Sequence, residues 1–232
     1  MASVTGATGY AVAHDCFDAA EVDALRAGVE AAARRATALA STAGTDTITP
    51  DGHRLRTVPG DPPTSVHWEP ETERPTLRNL RPVTHLDDRL AARWDDPRLT
   101  AVAADLLGTP AVAPLTSKIS FKRARVGSEF DWHRDHTFLA RFLGAAAREV
   151  VTAMVLLDDA HAGNGALTLV PGSHLDDPAP DPTPVTLTAS AGTVIFFRSR
   201  LLHRSDPNRS DTDRRALLYL YQPPGRPHLD EA

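Results

Sequence analysis

The sequence predicts a mainly β protein with flanking α-helices, either a sandwich or a jelly-roll barrel. Helical patterns occur only in the first 110 residues, whereas from residue 111 onward short runs of β-forming residues alternate with polar turns. The chain also contains 19 prolines, which favours many short elements joined by turns. Many short strands with polar turns are typical of two packed sheets or a closed barrel.

The chain is predicted to open with a short strand and a long helix. Residues 9–12 form a short apolar run, and Asp18 and Glu21 then have the spacing of a capping box. Apolar residues recur at helical spacing as far as about Ala40, so one face of this helix is expected to pack on the core.

The rest of the first 110 residues contains one long irregular stretch and a second helix. Residues 41–75 are rich in Thr, Pro, Asp and Gly and have no sustained period, which predicts a functional flap or a partly disordered segment. A helix is predicted over 97–107, with Asp96 as its cap and Gly108 as its stop.

The second half of the chain carries the predicted strands. A polar segment over 176–184 is predicted to be a surface loop. We expect one domain over 1–232, in which 1–110 supply helical support and a substrate flap and 111–222 form the jelly-roll core. The predicted strands are 111–123, 128–135, 148–157, 165–170, 184–189, 192–203 and 214–222.

Composition and charge exclude several classes of function. The net charge is −5 and no long basic block occurs, which argues against a nucleic-acid partner. No apolar run is long enough to span a membrane, and the N-terminal residues lack the pattern of a signal peptide. Cys16 is the single cysteine, as expected in a reducing compartment. We expect a cytoplasmic monomer or homodimer that acts on a small molecule.

The first chemical signal is the pair His133 and Asp135. If they lie on a strand, both side chains point to one face and Arg134 points to the other, so an imidazole and a carboxylate can bind the same ion. A pair of this kind on its own is more often a surface feature than a ligand set.

A second histidine and an arginine strengthen the signal. The run over 192–203 ends at His203, and after a polar turn the next strand opens at Arg214. In an antiparallel hairpin centred on that turn, positions 203 and 214 are opposed, and opposed residues share a face with Cβ atoms about 5 Å apart. We therefore expect His203 and Arg214 to project into one cavity.

These residue types suit one chemistry in particular. Two imidazoles and one carboxylate on one side of an ion leave the opposite positions open, as in non-haem Fe(II) oxygenases. A 2-oxo acid can bind such iron through its 1-carboxylate and 2-keto oxygen, and its far carboxylate then needs a fixed cation. Arg214 is suited to that task, because a guanidinium is always charged and forms a bidentate fork.

With these residues in place, the chain resembles the phytanoyl-CoA dioxygenase (PhyH) family of Fe(II)- and 2-oxoglutarate-dependent oxygenases. The resemblance covers most of the chain, and its combination of motifs is specific although each piece alone is not. The motifs are Gly9 with Tyr10, the helix over 19–35, the segments 105–108, 132–135, 164–167 and 170–174, and the group His203, Ser205, Asn208, Ser210 and Arg214.

The resemblance implies a double-stranded β-helix, which is a cupin-like jelly roll, and a metal centre. His133, Asp135 and His203 match the iron ligands of the family. The halogenases of this family replace the acidic ligand by a small residue, so the presence of Asp135 disfavours halogenation. No catalytic residue beyond the metal centre is implied.

The resemblance also implies a site for the cosubstrate 2-oxoglutarate. Arg214 matches the arginine that binds the 5-carboxylate, and Ser205 matches a hydroxyl that supports the same carboxylate. Ser120 and Lys118, on one face of a predicted strand, fall where relatives place polar residues near the cosubstrate.

Substrate-contacting residues are predicted only from their position beside the ligands. Arg134 or Arg141 would meet an anionic substrate, and His136 lies close enough to the ligand strand to touch one. Phe138 would form a pocket wall. Each of these residues would otherwise be an ordinary solvated side chain.

The predicted function is an Fe(II)- and 2-oxoglutarate-dependent dioxygenase. It would use O2 to oxidise, by default to hydroxylate, an unactivated C–H bond of a small molecule, and would release succinate and CO2. The Ala- and Arg-rich composition favours a bacterial tailoring step in biosynthesis. The alternatives are a cupin-like metal-dependent isomerase or hydrolase that does not use 2-oxoglutarate, and a ligand-binding or assembly protein with a vestigial site.

Overall fold

A computed structural model describes residues 7–48, 53–70, 75–176 and 183–229. Both helices and strands occur in the first part of the chain, and a short 3-10 helix spans Thr84–Leu86. In chain order, the elements up to residue 110 are β1 (Tyr10–Ala13), α1 (Ala19–Thr42), β2 (Thr45–Ile48), β3 (Arg54–Val58), β4 (Thr64–Trp68), β5 (Leu77–Arg81), α2 (Asp88–Ala91) and α3 (Pro97–Leu107).

The second part of the chain is mostly strand. Two further 3-10 helices span Gly144–Glu149 and Ala162–Asn164. The surface loop predicted over 176–184 falls mostly outside the described residues. The elements are β6 (Ala113–Lys122), β7 (Phe130–His133), α4 (Asp135–Leu143), β8 (Val151–Leu156), β9 (Leu167–Leu169), β10 (Val185–Thr186), β11 (Val194–Arg198), β12 (His203–Ser205) and β13 (Arg214–Gln222).

The strands form two antiparallel sheets. In the major sheet the order is β1-β11-β8-β13-β6-β5-β4-β3-β2, and in the minor sheet it is β10-β9-β12-β7. Consecutive strands β11 and β12 lie in different sheets, as do β6 and β7, so the chain crosses repeatedly between the two. The fold is a cupin-like jelly roll with flanking helices, and the predicted fold class is confirmed.

The strands of the major sheet are buried on both faces near its centre. In β8, Val151, Ala153 and Val155 pack in the cluster that includes residues of α1 and α3, whereas Met154 and Leu156 pack in the cluster between the sheets. A strand that is covered on both sides reads as a continuous apolar run. The helices therefore close the outer face of the major sheet, and the inner face remains available to the site.

The two long helices are confirmed. Asp18 accepts a hydrogen bond from the Glu21 amide and Glu21 returns one to the Asp18 amide, as a capping box requires. Helix α3 begins after the Asp96 cap and ends at Gly108, whose φ of 70° is left-handed. None of the helices in the described parts of the chain is long and apolar enough to cross a membrane.

The expectation that residues 41–75 form one long irregular stretch is wrong where the structure describes them. They contribute β2, β3 and β4, which extend the major sheet through antiparallel pairing with β5. The strands β2 and β3 are mostly polar and largely exposed or half-buried near the sheet edge, so no apolar period marks them. In β4 the buried face is only Thr64, Val66 and Trp68, which is too short a pattern to stand out. Residues 49–52 and 71–74 lie outside the described residues.

The predicted hairpin between His203 and Arg214 is also wrong. The run over 192–203 is two strands, because residues 199–202 turn between β11 in the major sheet and β12 in the minor sheet. His203 pairs with β7 and β9, whereas Arg214 pairs with Lys122 of β6. The two residues are thus on facing sheets, not on adjacent strands.

Candidate metal centre

Three possible metal ligands converge at the edge of the minor sheet. His133 is the last residue of β7 and His203 the first of β12, and the two are directly paired across the strands. The Nε2 atom of each imidazole lies 3.8 Å from Oδ1 of Asp135. All three ligand atoms lie within 4.8 Å of one another, so a single divalent cation can contact all of them.

Each imidazole is oriented by its own backbone. Nδ1 of His133 lies 2.6 Å from the Asp131 carbonyl oxygen, and Nδ1 of His203 lies 2.9 Å from that of Leu201. A proton on Nδ1 leaves the lone pair of Nε2 directed at the shared point, as a metal ligand requires. Burial, together with the neighbouring His203, lowers the pKa of His133 and favours its neutral form.

Asp135 reaches the same point by a different route from the predicted one. It is not on the strand: β7 ends at His133, and Asp135 is the first residue of α4. Its Oδ2 accepts a hydrogen bond of 3.2 Å from the Thr152 hydroxyl of β8. The helix start and this hydrogen bond, not strand alternation, turn the carboxylate toward the histidines.

The ligands border a cavity between the two sheets. Both sheets and the start of α4 contribute to its walls. The lining residues are Lys118, Ser120, Met154, Phe197, Arg214 and Leu218 from the major sheet, Phe130, His133, Leu167, His203, Arg204 and Ser205 from the minor sheet and its strand ends, and Asp135.

Arg214 lies at this cavity with most of its hydrogen-bonding capacity unused. The residue is buried, and Nη2 donates to the Gly165 carbonyl oxygen at 2.8 Å. Nε and Nη1 are buried and have no partner among the described residues. Burial lowers the pKa of Arg214 to about 10, so the group remains cationic at neutral pH. Two free N–H donors on a buried guanidinium fit a carboxylate.

The other predicted cosubstrate residues line the same cavity. Ser205 follows His203 by two residues on β12, and Ser120 and Lys118 lie on one face of β6. The Lys118 ammonium lies 5.2 Å from the centre of the Phe130 ring. Burial lowers the pKa of Lys118 to about 8.

Comparison with known proteins now assigns the chain to a family. A family model for phytanoyl-CoA dioxygenase (PhyH) matches residues 7–216. The match covers most of the 232 residues. The chain belongs to the PhyH family.

Two relatives and one solved structure show what this chain is similar to. Ectoine dioxygenase of Bordetella parapertussis is 29% identical over 62% of the chain, and L-proline trans-4-hydroxylase of Streptomyces griseoviridis is 29% identical over 54%. The chain spans only 57% and 59% of these two proteins. EctD from S. alaskensis, crystallised with 2-oxoglutarate and 5-hydroxyectoine, superposes with a TM-score of 0.67 at 27% identity, covering 94% of this chain and 73% of that one.

The predicted substrate residues of this PhyH chain separate into two groups. The Phe138 ring lies edge-on to that of His133 with 5.7 Å between the centres, and the residue is 58% exposed. Arg141, one turn further along α4, stacks on Phe142. Arg134 instead donates to the Arg200 and Ser173 carbonyls, and His136 lies against the Ser199 carbonyl. None of these four predicted substrate residues is among those that line the cavity, and only Phe138 contacts a candidate metal ligand through its ring.

Several residues of the site were not singled out from the sequence. Thr152 is a polar residue inside the otherwise apolar strand β8, and that contrast was the available signal. Lys122 continues the alternation of Lys118 and Ser120 along β6 and was overlooked. Phe130 precedes the ligands but was treated as part of a strand rather than as a cavity wall.

Proposed function

We propose that this chain is an Fe(II)- and 2-oxoglutarate-dependent oxygenase that hydroxylates an unactivated C–H bond of a small molecule in a biosynthetic tailoring step. One observation carries the proposal. Three ligand atoms that suit one cation border the same cavity as a buried guanidinium with two unused donors. A cupin-like isomerase or hydrolase without 2-oxoglutarate has no use for the second feature.

His133, Asp135 and His203 would hold the iron on one side. The donor set is the one that non-haem Fe(II) oxygenases use, and it leaves the positions on the cavity side open. Iron bound there would supply the activation of O2 that attack on a C–H bond requires. The backbone carbonyls that orient the two imidazoles keep their Nε2 atoms directed at that position before any ion arrives.

Arg214 would anchor the far carboxylate of 2-oxoglutarate. Its free Nε and Nη1 atoms offer two donors, and the Ser205 hydroxyl lies on the opposite wall. Its Nη2 atom keeps the hydrogen bond to the Gly165 carbonyl oxygen, which fixes the plane of the guanidinium. The cosubstrate would thus lie along the cavity between the arginine and the metal.

The names of the relatives support a small-molecule substrate, and the exposed Phe138 ring beside His133 supports a place for it next to the metal. Phe138 is exposed beside His133, and Arg141 follows one turn later on the same helix. A substrate there would lie against Phe138 and next to the metal, with its anionic groups in reach of Arg141. Arg134 and His136 would shape the turns around the ligands instead.

The proposal is tested by replacing Arg214 with Ala. The purified enzyme should convert 2-oxoglutarate to succinate only with Fe(II). Arg214→Ala should raise the KM for 2-oxoglutarate about 10- to 100-fold, because charge-assisted hydrogen bonds to the carboxylate are lost. Its iron content should stay near that of the wild type, since both histidines are on the facing sheet and Asp135 is at the start of α4.

Arg215→Ala is the matched control. Arg215 is the next residue of β13, but it forms ion pairs with Asp158 and Glu30 on the other face of the sheet. Its loss should lower stability and leave the KM for 2-oxoglutarate unchanged. An Arg214→Ala enzyme with an unaltered requirement for 2-oxoglutarate would refute the role of Arg214.

A further inference from the structure

The lysines of this chain are concentrated at one place. Of its 25 basic residues only Lys118 and Lys122 are lysines, and the others are arginines. Both lie on β6, on the face toward the cosubstrate cavity. Lys118 lines the cavity, whereas Lys122 is fully buried behind its inner end, directly across the strands from Arg214.

Lys122 joins β6 to two other segments of backbone through three carbonyl acceptors. Its Nζ donates to the carbonyl oxygens of Ser128 and Asp206, each at 2.7 Å, and lies 3.4 Å from that of Ser205. An ammonium has three protons, so these three acceptors use all of its donors. A planar guanidinium does not fit such a tripod of acceptors, which distinguishes this position from those that carry arginine.

The side chain also fits closely against the turn that binds Arg214. Gly165 has a φ of +77°, and a Cβ at this position would lie 2.8 Å from Cδ of Lys122 and 2.2 Å from the Asp206 carbonyl oxygen. The Gly165 carbonyl is the acceptor of Arg214. Lys122, Gly165 and Arg214 therefore form one packed unit at the inner end of the cavity.

The charge at this end of the cavity is not balanced. Within the described ranges no carboxylate forms an ion pair with Lys122, and like charges directly opposed across strands are destabilising. Arg214 and Arg78 add positive charge on β13 and β5. Glu69 and Glu129 are the acids that face it, and Glu69 is already paired with Arg78. Burial above all, and then Arg214, lowers the pKa of Lys122 to about 7.

We propose that Lys122 is a positioning residue for the cosubstrate carboxylate. It fixes the backbone at Ser128, Ser205 and Asp206 around Arg214, and it supplies a second buried positive charge there without touching the cosubstrate. The inference rests on the proposed function, because the bound dianion is what offsets the two opposed cations. Binding of 2-oxoglutarate and protonation of Lys122 are therefore coupled.

A purely structural role for Lys122 would lead to a different result when the cosubstrate binds. If Lys122 only filled space and bridged carbonyls, its protonation would be indifferent to the cosubstrate. With the coupling, wild-type protein takes up a proton when 2-oxoglutarate binds at pH 8, where part of Lys122 is neutral. It takes up almost none at pH 6, where Lys122 is already charged.

The experiment is calorimetric titration of 2-oxoglutarate into Mn(II)-loaded protein, at both pH values and in two buffers with different ionisation enthalpies. Lys122→Met should weaken the binding of 2-oxoglutarate about 10- to 100-fold at pH 6. At pH 8 it should abolish the part of the proton uptake that belongs to Lys122. Its Mn(II) content should equal that of the wild type. Lys118→Met, which removes the other lysine, should retain the uptake that belongs to Lys122.

The outcomes separate this inference from the proposed function. If wild-type protein does not bind 2-oxoglutarate at all, both are overturned. If it binds with equal affinity in the wild type and Lys122→Met, or without proton uptake at pH 8, only the role of Lys122 is overturned. If the Lys122→Met variant does not fold, the proton uptake of Lys118→Met at pH 8 decides the matter: retained uptake supports the role of Lys122, and its loss overturns that role.

Discussion

At the scale of single residues, the two imidazoles and the carboxylate are held in unlike ways. Each histidine is oriented by the carbonyl of the residue two positions before it, so its direction is set by its own strand. Asp135 instead depends on a distant group, the Thr152 hydroxyl of β8. A substitution outside the three candidate ligands should therefore affect the metal site mainly through the position of Asp135.

Thr152→Val should weaken metal binding with little effect on folding. Valine keeps the shape of the buried side chain but removes the hydrogen bond to Asp135 Oδ2, and loss of such a supporting hydrogen bond typically costs about 10- to 100-fold in metal affinity. The measurement is competitive titration of Mn(II) or Fe(II) against a chelator.

Thr168→Val is the control for this substitution. Thr168 is also a buried threonine on a strand of the site, but its hydroxyl pairs with that of Thr186. Metal affinity should be unchanged in this variant. Equal affinities in Thr152→Val and wild-type protein would show that Asp135 does not need Thr152.

The sequence predicts the three candidate ligands from their chemistry, and the structure brings them together, but not by the expected geometry. His133, Asp135 and His203 were expected on strands, and the expected alternation and hairpin were both wrong. The side chains still meet, because a helix start and a crossing between sheets bring them together. Such turns depend on tertiary packing and leave little trace in local sequence patterns.

At the scale of elements, the strands of the first 110 residues support the site from outside. Glu69, just after β4, is buried and forms an ion pair with Arg78 of β5 at 3.1 Å. Glu69 also accepts hydrogen bonds from the amide and hydroxyl of Ser128, and Arg78 donates to the Glu129 carbonyl at 2.6 Å. The Arg78 guanidinium lies 3.9 Å from the centre of the Phe130 ring. These contacts fix the start of β7, which ends at His133.

Glu69→Gln should destabilise the fold by about 3–5 kcal/mol, because it leaves the Arg78 charge buried without a partner. Chemical unfolding of the two proteins gives this difference directly. The control is Glu149→Gln: Glu149 is exposed and pairs with Arg226, so its loss should cost less than about 1 kcal/mol. Similar effects of the two substitutions would contradict a structural role for the buried pair.

Among these supporting strands are the parts of the fold that the sequence does not predict. An apolar period marks β8 and β13, whose side chains are covered by the helices and by the facing sheet. The strands β2 and β3 are partly exposed and carry Thr, Asp and Arg, so their sequence resembles that of a loop. By contrast, α3 was predicted to the residue, since Asp96, Pro97 and Gly108 mark its ends chemically.

At the scale of the whole molecule, the charge around the cavity is opposite in sign to the net charge of the chain. The chain carries a formal charge of −5, yet Arg78, Lys118, Lys122 and Arg214 surround the inner cavity. Glu69 is the buried acid on that side. A positive cavity in a negative molecule attracts a small dianion and disfavours binding of anions elsewhere on the surface.

This arrangement predicts an unusual dependence of stability on pH in the metal-free protein. The pKa of Lys122 is about 7 in the folded state against 10.5 as a reference, so between these values the unfolded chain binds more protons. The free energy of unfolding should therefore rise with pH from about 7 toward 10. Lys118, with a pKa of about 8, adds to the rise in the upper part of this range.

Urea unfolding at pH 7 and pH 9 measures this effect. Wild-type protein should be more stable at the higher pH, and Lys122→Met should show a smaller difference between the two. A wild type that loses stability over this range, or a variant with the same slope, would contradict the assignment of buried cations to the cavity.

The proposed reaction depends on one cation and one dianion that share the cavity between the sheets. A crystal structure of the protein grown without oxygen in Mn(II) and 2-oxoglutarate tests this most directly. We expect the ion bound by Nε2 of His133, Nε2 of His203 and the Asp135 carboxylate, and a carboxylate of the cosubstrate bound to Nε and Nη1 of Arg214. An ion bound elsewhere, or an Arg214 that keeps both donors unpaired beside a bound 2-oxoglutarate, would contradict it.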